Sequence, residues 1–216
     1  VKGHFLRIFD VADEFVALTE ELGGKILKPD GSGKDIQNPL EILHATESEQ
    51  LNFSRHISRL TTFYKALNPE AESTEVTDFT NLLTEFYESI GLTPIVDGVE
   101  RQISGLPPTA YPIFSEFLDY LNKCIAEMLQ KEYNEAEMVL AKTRLETLYN
   151  ITGQISYIVK TYGNMFNGHS SINNIMDEQI VVFNISGLKD MATNVFAAQM
   201  TSLMALCWDN MVTNGK

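Results

Sequence analysis

Apolar positions along this chain come in two kinds of run. Short dense runs stand near the two ends, and long runs with helical spacing fill the middle. Residues 5–9 (FLRIF) have the look of a buried strand. Asp10 follows where a helix cap belongs, with Asp13 at the third helical position. Val11, Phe15, Leu18 and Leu22 then recur on one helix face, and Gly23-Gly24 supplies a left-handed stop. Lys25-Ile26-Leu27 reads as a second short strand. Strand, helix and strand at this spacing predict a βαβ-like unit with parallel strands.

Residues 28–37 (KPDGSGKDIQ) form a turn-rich surface loop, and the middle of the chain is helical almost throughout. Thr46 with Glu49 is expected to form a capping box. The helix it opens carries Phe53, Ile57, Leu60, Tyr64 and Leu67 on one face until Pro69 breaks it. A second helix starts near Ser73, stacks Phe79, Leu83, Phe86 and Ile90, and stops at Gly91. Residues 92–111, rich in Pro and Gly, read as an irregular connection. A third helix begins around Pro112 and buries Phe114, Phe117, Leu121, Ile125 and Met128. The fourth has Asn134 as cap and Glu137 at its third position, buries Met138, Ala141, Leu145 and Leu148, and extends past Gly153 toward Val159. Four amphipathic helices in succession predict a small bundle.

Residues 180–185 (IVVFNI) are nearly all apolar, as strands covered on both faces are. A long helix follows from about Thr193 to Thr213, with Phe196, Met200, Leu203, Cys207 and Met211 on its face. The layout is α/β, then all-α, then α/β. It predicts a helical subdomain inserted into a split parallel-sheet core, with residues 1–45 and 166–216 forming the core and 46–165 the insertion.

Composition narrows the function classes. The 216 residues are 44% hydrophobic, enough to bury a core, and carry a net charge of −13 with no two basic residues adjacent. Such a surface repels a phosphate backbone, so direct nucleic-acid binding is not expected. Cys124 and Cys207 sit in apolar helical surroundings and read as lone buried thiols of a reducing cytoplasm. No stretch has the roughly 18 consecutive apolar residues of a membrane span, and no signal peptide is visible. Val1 is not an initiator methionine, and the pattern stops just after a helix at Asn214-Gly215-Lys216, so both ends are expected to lie within a longer protein.

Gly31-Ser32-Gly33-Lys34 suggests a phosphate loop, but Lys28 stands where its first glycine belongs and Asp35 where its Ser or Thr belongs. An exposed turn is the better reading. His4, His44, His56 and His169 share no metal-ligand spacing with other donors. Asp10 and Glu14 are the more interesting acids, at the carboxyl end of a strand where open sheets bind ligands. The plainer reading is that Asp10 caps the helix and Glu14 answers its dipole. Met191, Met200, Met204 and Met211 read as core filler, part of it covered only in a longer protein.

The segments RIFDVADEFVALTEELGGKIL, IQNPLEIL, LPPTAYPIFSEFLDYL, YGNMFNGHSSIN, IVVFNISGL and NVFAAQMTSLMALCWDNMV, in that order and over nearly the whole chain, resemble the large conjugation ATPases of type IV secretion systems. The resemblance implies a HerA/FtsK-type, RecA-like hexameric motor. This chain would be an internal fragment of it, with the Walker A loop upstream of Val1 and the Walker B acid downstream of Lys216. It implies Mg-ATP as cofactor of the full-length protein and none in this chain, which is then inactive alone. Implied partners are the protein's own copies and other secretion components, at the inner face of the cell membrane. Asp10 and Glu14 match the family's D-x-x-x-E pattern as ancillary acids, Asn38-Pro39 matches its NP turn, and Asn184 stands where relatives often have Asp. Two other readings stay open: a non-enzymatic helical interaction domain, and a free-standing enzyme with Asp10 and Glu14 as acid and base.

Overall fold

The computed structural model describes residues 4–172, 175 and 177–214. Val1, Asn173 of the YGNMFNGHSSIN segment and the closing Gly215-Lys216 lie outside the described residues. The order of elements is strand β1 (Leu6–Asp10), helix α1 (Val16–Glu21), β2 (Lys25–Leu27), α2 (Glu49–Leu67), α3 (Ser73–Ser89), β3 (Ile95–Val96), β4 (Val99–Glu100), α4 (Phe114–Gln130), α5 (Glu135–Thr161), α6 (Gly163–Phe166), β5 (Ile180–Asn184) and α7 (Thr193–Asn214). Single 3-10 turns occupy Pro108–Ala110 and Ser186–Asp190.

The main sheet has three parallel strands in the order β1-β5-β2. The last strand in sequence is therefore the central one. It is buried from Val181 to Asn184, which is why its side chains are apolar on both faces. β1 and β2 are parallel as expected, but β5 separates them. Phe9 of β1 stacks on its register partner Phe183 with ring centroids 5.2 Å apart.

β1 departs from the buried strand that FLRIF predicts. It is an edge strand with Phe5 and Leu6 exposed and only Asp10 buried. The face of α1 departs as well: Val11, Phe15, Leu18 and Leu22 are all exposed, and Thr19 is the buried residue of that helix. Of these only Leu18 lies within α1; Phe15 and Leu22 flank it and Val11 precedes it, so the expected helical stripe does not form and the four side chains stay exposed.

The helices between β2 and β5 pack through aromatic rings. Tyr64 of α2 stacks on Phe79 of α3 at 4.1 Å, and Phe79 meets Phe117 of α4 edge-on at 6.1 Å. The buried apolar residues form one cluster reaching from the sheet, at Leu27 and Phe183, to Leu121 and Ile151 in the helices. α7 lies along α2, and an ion pair between Arg59 and Asp209 joins them. Its buried positions include Val195, Ala198, Leu203 and Cys207, whereas Met204 and Met211 of the methionine stripe are exposed.

Local corrections have local causes. Ser48, not Thr46, caps α2, its hydroxyl accepting the Leu51 N–H. Glu49 turns away to a distant segment, accepting the N–H groups of Ile103 (3.2 Å) and Ser104 (3.0 Å) and the Ser104 hydroxyl (2.8 Å). Within residues 92–111, β3 and β4 pair as a hairpin across Asp97 and Gly98, both at positive φ, the pair of residues that such a turn selects. At α5 the expected box forms, with reciprocal bonds between Asn134 and Glu137. Residues 135–140, its first turn and a half, are exposed, so Met138 is exposed rather than buried.

Candidate functional site

The carboxyl end of the sheet gathers four polar side chains. Asp10 closes β1 beside its register partner Asn184 of β5, and both are 2% exposed. Asp10 is held by backbone: one carboxylate oxygen accepts the N–H groups of Ala12 (3.1 Å) and Glu14 (3.2 Å), and the other accepts that of Phe15 (2.9 Å). Burial on its own would raise its pKa. The N–H groups of Phe15, Ala12 and Glu14 outweigh that and hold the carboxyl below the ordinary aspartate value. A carboxylate so occupied organises the β1–α1 loop and has little free capacity for a proton or an ion.

This differs in detail from a helix cap. α1 begins only at Val16, so Asp10 and Asp13 precede the helix and Glu14 lies outside its first turn. Asp13 takes a positive φ of 60°. That turn brings its carboxylate to the Asn184 side-chain amide, which donates to it, and to the Ser186 hydroxyl at 3.2 Å. Asn184 accepts in return from the Ser186 N–H (3.1 Å) and hydroxyl (2.8 Å). An aspartate at position 184 would have no N–H to give and would set a third negative charge beside Asp10 and Asp13. Glu14 is exposed and joins this cluster only through its backbone.

The loop after β2 is fastened to the rest of the core. Asp35 accepts the Lys28 N–H at 2.7 Å, and Asp30 accepts from both the N–H and the hydroxyl of Ser32. Lys34 is exposed, and the next helix does not start until Glu49. Gly31–Lys34 therefore offers no helix N-terminus to a phosphate. Asn38 of the NP turn is buried, donates to the Pro112 carbonyl at 2.8 Å and accepts the Leu40 N–H at 3.0 Å. Its own N–H donates to the Ser170 hydroxyl at 2.8 Å. This turn ties the loop to the start of α4 and to the segment before β5.

The remaining candidate groups are dispersed. Among the described residues no three His, Cys, Asp or Glu side chains are placed to hold a metal ion. Cys207 is buried, which raises its thiol to about 11, and burial raises the half-buried Cys124 thiol as well. His56 is enclosed on α2, with Nε2 2.7 Å from the Tyr87 hydroxyl, which donates to the Leu40 carbonyl at 2.7 Å. That buried chain links residues far apart in sequence, and only the folded arrangement reveals it. No helix among the described residues is long and apolar enough to cross a membrane.

No protein-family model matches the chain. The uncharacterised protein pXO2-09 of Bacillus anthracis is 31% identical to it over 230 aligned positions, which take in all of this chain and 34% of that protein. The chain thus spans about a third of the length of this curated relative. Among solved structures, VirB4 of Thermoanaerobacter pseudethanolicus is similar with a TM-score of 0.74, at 21% identity, over 96% of this chain and 69% of VirB4. The chain thus shares the fold of that part of VirB4.

Proposed function

We propose that this chain is a segment of a type IV secretion ATPase of conjugative transfer, supplying core scaffold and a helical subdomain for contacts with substrate or other secretion components. The likeness to VirB4 over 96% of the chain is the observation that carries this reading. The finer parts are the RecA-like, HerA/FtsK-type core, the division at residues 45/46 and 165/166, and the position between a Walker A loop and a Walker B acid. They rest on the ordered sequence segments. The bare edge of β1 and the exposed apolar side chains in and around α1 support a sheet that continues in a longer protein.

Phosphoryl transfer needs backbone amides and a lysine around the phosphates and an acid to hold Mg²⁺. The described residues do not fit that demand. Their glycine-rich loop leads to no helix, and the buried Asp10 carboxylate is already occupied by backbone N–H groups. Mg-ATP is accordingly assigned to the full-length protein and no cofactor to this chain. Asp10 and Glu14 are assigned an ancillary role, setting the loop at the carboxyl end of the sheet. The full-length protein acts as an oligomer at the cytoplasmic face of the membrane.

The test is Mg²⁺-dependent ATP hydrolysis and particle size of the purified full-length protein. Hydrolysis by an oligomer supports the reading. A monomer without hydrolysis, or a full-length sequence with no phosphate loop, leaves the non-enzymatic interaction domain in its place.

A further inference from the structure

Three helices leave an open groove of about 490 Å³, none of whose lining residues belongs to the sheet's polar cluster. Each contributes one face at helical spacing. α3 supplies Asp78, Leu82 and Glu85, α4 supplies Cys124, Glu127 and Met128 with Lys131 just past its end, and α5 supplies Glu137, Leu140, Arg144 and Leu148. The lining spans about 10 Å of α3 and of α4 and about 16 Å of α5, so the groove is two to three turns long. Its floor is apolar, at Leu82, Met128, Ala141 and Leu148. Leu140 is 74% exposed at its lip, and Leu129, Met138 and Val139 are exposed close by in sequence. Of these exposed residues, Met138 is the one that the sequence pattern placed in the core.

The rim is charged mostly one way. Asp78, Glu85, Glu127 and Glu137 stand against Lys131 and Arg144. Lys123 pairs with Glu127 at 3.7 Å, and Lys131 lies over the Tyr133 ring at 5.5 Å. An apolar trough two to three turns long with a net acidic rim fits an amphipathic helix that presents large aliphatic residues at i, i+3 or i+4, and i+7 between lysines or arginines. We propose that the groove between α3, α4 and α5 docks a cationic amphipathic helix of a partner protein. This deepens the contact role proposed for the helices. It stands apart from the motor reading, because peptide binding by this chain and ATP hydrolysis by the full-length protein are separate measurements.

The probe is a fluorescent 18-residue helical peptide of leucine and lysine, titrated against the chain by anisotropy. A scrambled peptide of the same composition and a leucine–glutamate peptide serve as comparisons. The helical cationic peptide is expected to bind at least about tenfold more tightly than either, and added salt weakens it. Leu140→Asn, and separately Glu85→Lys with Glu127→Lys, are each expected to weaken binding about tenfold, with helix content unchanged by circular dichroism. Glu20→Lys with Glu21→Lys, on the exposed surface of α1, makes the same charge change and is expected to leave binding near that of the parent chain. Equal binding of the scrambled peptide, or equal loss in the α1 pair, overturns the proposal by showing general attraction to an acidic protein. A concentration-dependent dimer abolished by Leu140→Asn overturns it too, making a second copy of the chain the occupant.

Discussion

Acidification from pH 7 to 5 should destabilise this protein through His56 by a calculable amount. The imidazole is 1% exposed and lies edge-on to the Tyr87 ring, with centroids 5.2 Å apart. Tyr87 gives its one proton to the Leu40 carbonyl, so the imidazole must donate in the bond between the two. Burial, and then the nearby Arg59 guanidinium, push the His56 pKa well below its ordinary 6.5. In the unfolded chain His56 regains that ordinary value. Below it the unfolded state binds a proton that the folded state refuses, so stability falls as pH falls. Titration of the unfolded histidine alone sets the upper limit of this loss, about 2 kcal/mol between pH 7 and 5, reached when the folded imidazole stays neutral throughout. With a urea m-value of about 2 kcal/mol/M, the midpoint drops by up to about 1 M. The assay compares urea unfolding of the parent chain and His56→Gln at both pH values. The difference between their pH slopes isolates this residue from the carboxylates. Parallel loss in the two proteins would refute the argument. So would an imidazole proton resonance of the folded chain that titrates near pH 6.5, a readout that stands even if His56→Gln folds poorly.

Removing the Glu49 carboxylate with Glu49→Ala strands two N–H groups at the buried Ile103 and Ser104, and should cost about 3 kcal/mol by urea unfolding. A loss under about 0.5 kcal/mol would mean water replaces it easily. Gly24→Ala would set a methyl 2.8 Å from the Thr19 side chain and 3.0 Å from Ile180, and is expected to lower stability by about 1–3 kcal/mol. Thr19→Ser in the same chain should recover part of that loss, since the atom met on Thr19 is its methyl. Asp10→Asn keeps one acceptor but cannot receive all three amides as a carboxylate does. Faster hydrogen exchange at Ala12, Glu14 and Phe15 is expected, with α4 and α5 unaffected, and unchanged exchange would show that the loop holds itself.

The elements were legible where a residue's environment is set by its own neighbours in sequence. Leu60, Tyr64 and Leu67, or Phe114, Phe117 and Leu121, are buried because a 3.6-residue period puts them on one side. Val181–Phe183 read as a covered strand because β5 has a strand on each side and both its faces are buried. What failed depends on contacts that local pattern does not carry. The apolar run of β1 says nothing of sheet order, and an edge strand can look the same as a central one. Glu49 has the spacing of a capping box, but its partners lie more than fifty residues away, at Ile103 and Ser104. The Asp97-Gly98 hairpin did carry its signal in the sequence, hidden among prolines and glycines that suggested disorderly backbone. At the candidate site, Asp10 was visible from its place after a strand. The pairing of Asn184 with Asp13 was not, because it needs the positive φ of Asp13 and the parallel register of β1 on β5.

The proposal that this chain is a scaffold segment of an ATP-driven motor meets its most direct test in calorimetric titration of Mg-ATP into the 216-residue chain and, in parallel, into the full-length protein. Heat of binding from the full-length protein and none from the chain is the expected result. Micromolar binding to the chain itself would place a nucleotide site within these residues and contradict the account, as would a full-length protein that binds no nucleotide at all.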